Sequence, residues 1–222
     1  MSSMRTIRVT GKGQIKVKPD MTRITVTLTG LYKEYGETLR RSSEDAEALR
    51  DVLSGFGFER SDLKTLSFNV DTEYESFRDE NNDFRQRFAG YRFNHALKVE
   101  FESDNDRLGK ILYALANCSV KPEFRLSYTV KDPEAAKNLL LGRAVTDAKE
   151  KAAVLTQAAG VSLKEIQNID YSWGEIAFEC SPMRGAVLTD CCTAPMAKSC
   201  HLDIEPDDIE VSDTVTVVWE IL

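Results

Sequence analysis

Histidine is scarce in this 222-residue chain, with only His95 and His201 present. No G-x-S-x-G elbow and no H-E-x-x-H pair occurs, so hydrolase and metalloprotease chemistry find no support. No apolar run approaches the ~20 residues that a bilayer span needs. The start, Met1-Ser2-Ser3-Met4-Arg5, lacks an apolar stretch and a small-residue cleavage site. It does not read as a secretory signal, and the expected compartment is the cytoplasm. Positive charge is in the minority: 29 Lys and Arg stand against 36 Asp and Glu, a net charge of -7. An acidic surface repels phosphates and is not drawn to anionic lipid, so neither nucleic acid nor a membrane is an expected partner. The one obvious basic pair, Arg40-Arg41, sits beside Glu44 and Asp45. Cysteine is present but uneven, with four of five crowded between 180 and 200. An odd number in that distribution is no disulfide framework, and reduced thiols are expected.

What is present is ordinary material for a folded protein, at 42% hydrophobic and 29% charged residues. The length allows one large domain or two small ones. The two ends match. Residues 5–17 alternate loosely, with Ile7, Val9, Ile15 and Val17 on one face, and the chain closes on Val211, Val215, Val217, Trp219 and Ile221. Both ends read as strands and are expected to pair in one sheet, closing the chain into a single unit over 1–222.

Gly11 and Gly13 interrupt the first strand, where glycine usually marks a bulge or bend. After the turn Lys18-Pro19-Asp20, Ile24, Val26 and Leu28 alternate with Thr25, Thr27 and Thr29, a strand with one buried face. A hairpin between these two strands is expected. Residues 37–54 predict a helix with Leu39, Ala46, Leu49 and Leu53 inward, stopped by Gly55-Phe56-Gly57. Residues 63–77 and 84–101 predict a strand pair around the polar tip 78–83, with Leu66, Phe68 and Val70 inward on the first. Ser103 and Asp106 suggest a capping box. Residues 122–130 form a strand. Asp132-Pro133-Glu134 opens a helix that runs to Gly160, with a stripe of Leu141, Val145, Ala148, Ala152, Leu155 and Ala159. Residues 163–178 read as strand. From Cys180 to Glu205 no period appears, and 179–206 is expected to be a flexible, cysteine-rich loop.

The resulting order is β-β-α-β-β-α-β-α-β-β. It predicts an α+β fold with a largely antiparallel sheet and helices packed on one side. The β-α-β-β stretches near both ends suggest an internal duplication.

Chemistry has few places to reside. Cys180, Cys191, Cys192, Cys200 and His201 are soft ligands suited to zinc or copper(I), or to a redox-sensing thiol pair. They lack a C-x-x-C knuckle, and a loop of reduced thiols is the plainer reading. His95 shares a strand face with Phe93 and Leu97, which suits a hydrogen-bonded core histidine. Gly11-Lys12-Gly13 lacks the pattern and the following helix of a phosphate loop. The tip 78–83 lacks the spaced acids and glycine of a calcium loop.

The segments Val9-Thr10-Gly11-Lys12-Gly13, Pro19-Asp20, Thr65, Gly90-Tyr91, Ala144 to Ala148, Lys151-Ala152, Leu155 to Gly160 and Pro206 to Val211 together resemble the SIMPL-domain family, long catalogued as a domain of unknown function. The resemblance covers nearly the whole chain. It implies an α+β fold and large homo-oligomeric rings or channel-like assemblies. Bacterial members are usually exported, some are linked to stress tolerance, and a mammalian member is linked to innate immune signalling through a kinase partner. No catalytic set comes with the family. The chain departs from its relatives in lacking an export signal and in its cysteine-rich stretch. The expected function is therefore a non-enzymatic, SIMPL-like homo-oligomer with no catalytic residues, no cofactor and an unidentified protein partner. The alternative is a cytoplasmic thiol- or metal-binding or redox-sensing module built on Cys180 to His201.

Overall fold

A computed structural model describes residues 5–171, 176–181 and 204–222. Along the chain lie β1 (Thr6–Val17), β2 (Met21–Tyr32), α1 (Tyr35–Ser54), β3 (Lys64–Arg78), β4 (Phe84–Glu102), α2 (Asn105–Ala116), β5 (Glu123–Thr129), α3 (Pro133–Ala159), β6 (Leu163–Tyr171), β7 (Glu179–Cys180) and β8 (Ile209–Ile221). This is the order read from the sequence, with the two-residue β7 added. The fold is α+β with antiparallel pairing. The chain clusters into two compact units, one of residues 1–20, 129–180 and 207–222, the other of 21–128 and 181–206.

In the first unit the matched ends do pair. β1 and β8 run antiparallel without a break from Thr6 opposite Glu220 to Val17 opposite Ile209. The three-stranded sheet has the order β1-β8-β6, and α3 lies across one face. Val9, Val215, Val217 and Trp219 meet Ala144, Ala148 and Ala152 there, while Ile15, Val130, Leu140, Phe178 and Ile209 form a second cluster. The expected β1–β2 hairpin does not form, because β2 pairs with β4. Asp20 is tied elsewhere: its amide donates to the Thr129 carbonyl at 3.2 Å, and its carboxylate accepts from the Lys131 amide at 2.8 Å.

Gly11 and Gly13 make no bulge, since the β1–β8 register is unbroken through them. They make room. A Cβ on Gly11 would collide with the Ala144 carbonyl and the Ala148 amide and lie 2.7 Å from the Ala148 Cβ; one on Gly13 would collide with the Leu140 carbonyl. Two side-chain-free positions on the strand thus face a small-residue stripe on the helix. That stripe is Leu140, Ala144, Ala148, Ala152 and Thr156, which corrects the expected one. Leu155 is largely exposed. A strict four-residue step drifts around an α-helix, so the contact line follows a helix crossing the strands obliquely. The ends of α3 are as expected: the Asp132 carboxylate accepts from the Ala135 amide at 2.8 Å, Pro133 opens the first turn, and Gly160 closes it at φ 67°.

In the second unit β3, β4, β2 and β5 lie in that order, and α1 and α2 cover one face. Ile24, Val26, Leu28, Leu97, Val99 and Phe101 pack against Leu49, Leu53, Leu108, Ile111 and Leu115. Three local expectations change. On α1 the inward position is Thr38, with Leu39 outward. The α2 cap is Asp104, whose side chain accepts from the Arg107 amide, while the Ser103 hydroxyl meets Thr22 at 3.2 Å. On β3, Leu66 and Phe68 are exposed, because β3 is an edge strand with a register shift between Thr65 and Ser67. Of the expected loop 179–206, Glu179 and Cys180 form β7, and residues 182–203 lie outside the described residues.

Candidate functional site

His95 is held by three elements. It sits on β4 opposite Leu28 of β2 and Phe68 of β3. Its Nδ1 lies 3.4 Å from the Ser42 hydroxyl on α1, and its Nε2 lies 3.0 Å from the Thr65 hydroxyl on β3. Phe68 meets the ring edge-on at 5.1 Å. Each hydroxyl can donate or accept, so the neutral ring is satisfied in either tautomer. Burial, and then the positive charge of Arg50, hold the imidazole below its usual range. Ser42 is buried inside a helix and beyond a substrate's reach. A long bond to a buried hydroxyl, with no carboxylate among these contacts to orient the ring, does not assemble a nucleophile and base. The arrangement holds a neutral imidazole in a partly buried polar network.

Of the cysteine candidates, Cys191, Cys192, Cys200 and His201 lie outside the described residues. Cys180 is a free thiol, half-buried, and its Sγ donates to the Asp207 carbonyl at 3.5 Å. Burial, followed by the charges of Asp207 and Glu179, pushes it above the ordinary thiol range. A thiol held protonated is a poor nucleophile and a poor metal ligand. Among the described residues no group of three His, Cys, Asp or Glu is placed to hold a metal ion.

Lys12 of the glycine-flanked motif bonds to α3 through its backbone. Its amide donates to Asp147 Oδ2 at 2.7 Å, and Lys151 Nζ meets the same oxygen at 2.7 Å. One turn earlier, Arg143 Nη1 donates to the Gln14 carbonyl at 2.8 Å. Both backbone groups lie on the open edge of β1, so α3 occupies with side chains what another strand would otherwise pair. Lys151, then the Lys12 amide, hold the Asp147 carboxyl below its usual range. The spacing Arg143-x-x-x-Asp147 carries this role in the sequence, but only once β1 is known to be an edge. A shallow hollow of about 500 Å³ runs along the same helix, lined by Leu139, Gly142, Arg143 and Asp147 among others.

At the hairpin tip, Asp79 Oδ1 accepts from the amides of Asn81 and Asp83, and its Oδ2 pairs with Arg85 at 2.5 Å. Arg78 Nη1 donates to Asn82 Oδ1 at 2.7 Å. The tip carboxylate closes the turn. Below it lies a feature that periodicity did not signal. Tyr74, Phe88, Tyr91 and Tyr35 make successive edge contacts at 6.2, 5.3 and 5.4 Å, and Arg78 covers Phe84 at 4.6 Å. Phe84 is 73% exposed and Tyr74 57%.

Residues 7–219 match a family model described as SIMPL, protein of unknown function (DUF541). The match runs through the segments of both compact units. The chain is 28% identical over 218 residues to the 26 kDa periplasmic immunogenic protein of Brucella melitensis, covering 97% of this chain and 84% of that protein. The protein of the same name from Brucella abortus matches with the same identity and coverage. The regulatory subunit of aspartate kinase from Thermus flavus aligns over 96% of this chain and 89% of its own at 11% identity, with a TM-score of 0.16. That score carries no argument. The Brucella relatives are named periplasmic, and this overturns the cytoplasmic placement expected from the first residues. Compartment is a property of delivery, which the folded residues do not encode.

Proposed function

Because the chain belongs to the SIMPL family, a family of unknown function, we propose that it is an exported, non-enzymatic protein that works as a homo-oligomeric assembly. The observation that carries this reading is the place of the residues shared with the family pattern. Gly11, Gly13, Ala144 and Ala148 let α3 approach β1, Ala152 packs in the same cluster, and Asp147 with Lys151 braces the β1 edge. They build a scaffold and do not converge on a reacting atom. Assembly is supported by the exposed aromatic side chains of β3 and β4, since exposed apolar surface of this kind marks contact sites. Export is supported by the periplasmic names of the relatives. The role in stress tolerance implied by the family goes with this reading. Residues 1–222 are taken as one SIMPL-like unit, because the family match runs through both clusters.

Native mass spectrometry of the purified chain, beside fractionation of cells expressing the whole gene, tests it. A discrete homo-oligomer from the exported fraction is the expected result. A single-chain mass at micromolar concentration overturns the assembly, and retention in the cytoplasm overturns export.

A further inference from the structure

β3 and β4 outrun their own sheet. β2 pairs with β4 as far as Tyr32 opposite Tyr91, whereas β3 and β4 continue to Arg78 opposite Phe84. Residues 73–78 and 84–90 therefore form a two-stranded arm. Among the described residues, neither of its outer edges has a strand partner. A lone two-stranded ribbon is marginal in water, and a flat open edge invites pairing unless it is blunted. This arm contains neither proline nor lysine, and its one register shift, between Glu73 and Tyr74, lies at its base.

The two edges differ in sign. In the arm β3 carries Glu73 and Glu75, with Arg78 at its end, and β4 carries Arg85 and Arg87. Glu73, Glu75, Arg85 and Arg87 share one face with Phe77, while Tyr74, Phe84 and Phe88 share the other with Arg78. Within the arm Glu75 already meets Arg87 at 2.6 Å and Glu73 meets Arg92 at 3.2 Å, yet all four side chains remain 40% or more exposed. They are free to take a second neighbour.

We propose that the arm is an assembly surface for a second copy of this chain, β3 of one copy pairing edge to edge with β4 of the next. Pairing β3 with β3 would set acids against acids, and β4 with β4 would set arginines against arginines; like charges placed opposite destabilise a sheet. Only the β3–β4 junction brings acid to base. It also extends the aromatic face from copy to copy. Such a junction is head-to-tail, so it closes into a ring or grows into a filament and does not stop at a two-fold dimer. The proposal rests on the homo-oligomeric reading above and assigns its interface.

Two variants test it. Arg85→Glu with Arg87→Glu makes both edges acidic; Glu73→Arg with Glu75→Arg makes the β3 edge basic like β4. Each alone should fall from the assembly mass to that of one chain, with circular dichroism unchanged. Mixed one to one, they present opposite signs at every junction, and the assembly mass should return. Merely weakened folding would not be rescued by mixing. Assembly by each variant alone, or a mixture that stays single-chain, overturns the arm and leaves the oligomer standing. A wild-type chain that is itself a monomer overturns both readings, and protected arm amides in that monomer would place another segment of the same chain on the edge.

Discussion

A methyl group is the smallest possible change at Gly11, and there is no space for it. Its neighbours would be backbone atoms of α3, which cannot swing aside as a side chain does. Gly11→Ala is expected to cost about 3 kcal/mol, the upper range for overpacking, read as a lower urea midpoint. Gly142→Ala is the control: it lies in the same helix with nothing near its added Cβ. It should gain about 0.5–1 kcal/mol, from the backbone entropy that glycine loses on folding. His95 supplies a pH dependence at the same scale. Its folded pKa lies below 6.5 because burial, aided by Arg50, disfavours the charged ring. The unfolded chain therefore binds the proton more readily. Stability is full above pH 6.5 and falls as the pH drops from there toward the folded value. His95→Gln should flatten that slope just below pH 6.5 in urea titrations, and an unchanged slope would assign it to other groups. The histidine's bland role was legible from its neighbours Phe93 and Leu97. Its partners Ser42 and Thr65 were not, since they come from elements 53 and 30 residues away.

At the scale of elements, local chemistry decides the ends and distant surfaces decide the faces. Asp132, Pro133 and Gly160 bound α3 through groups within four residues, so they were readable directly. Asp132→Ala should cost about 1 kcal/mol and fray the first turn, seen as faster amide exchange at Ala135; an unchanged rate would show the cap to be idle. The stripe of α3 differs by one position at several points from the one periodicity predicts, because its contact line depends on the crossing with β1. Inward Leu66 and Phe68 were expected from alternation alone, but alternation does not say that β3 is the last strand of its sheet. The aromatic arm stayed hidden for the same reason. Tyr74 and Phe88 read as half of an ordinary strand pair until the pairing shows that, among the described residues, β2 stops opposite Tyr91 while β3 and β4 continue.

For the whole molecule, the last thirteen-residue strand carries a large structural load. β8 is the central strand of its sheet, paired on both sides, and supplies Val215, Val217 and Trp219 to the core. A chain ending at Pro206 would leave β1 and β6 without a common partner. It should lose the fold of the first unit, detected as collapse of the tertiary circular dichroism signal. A truncated chain that melts like the intact one would remove β8 from the core. The net charge of -7 acts at this scale too. It favours solubility, and it makes locally paired charges such as those of the arm the means by which copies of an acidic chain could meet.

The order of elements, the α+β class, the matched strands at the two ends and the family are legible along the chain, because period-two alternation, caps and short motifs are local patterns. Only the folded chain shows that β1 makes no hairpin with β2, that two glycines serve a helix contact and not a bulge, and which strands stand at the edges. Those outcomes depend on register between surfaces more than a hundred residues apart, as with Lys12 and Asp147. A one-residue change of register turns every side chain to the other face, and no local window holds that information.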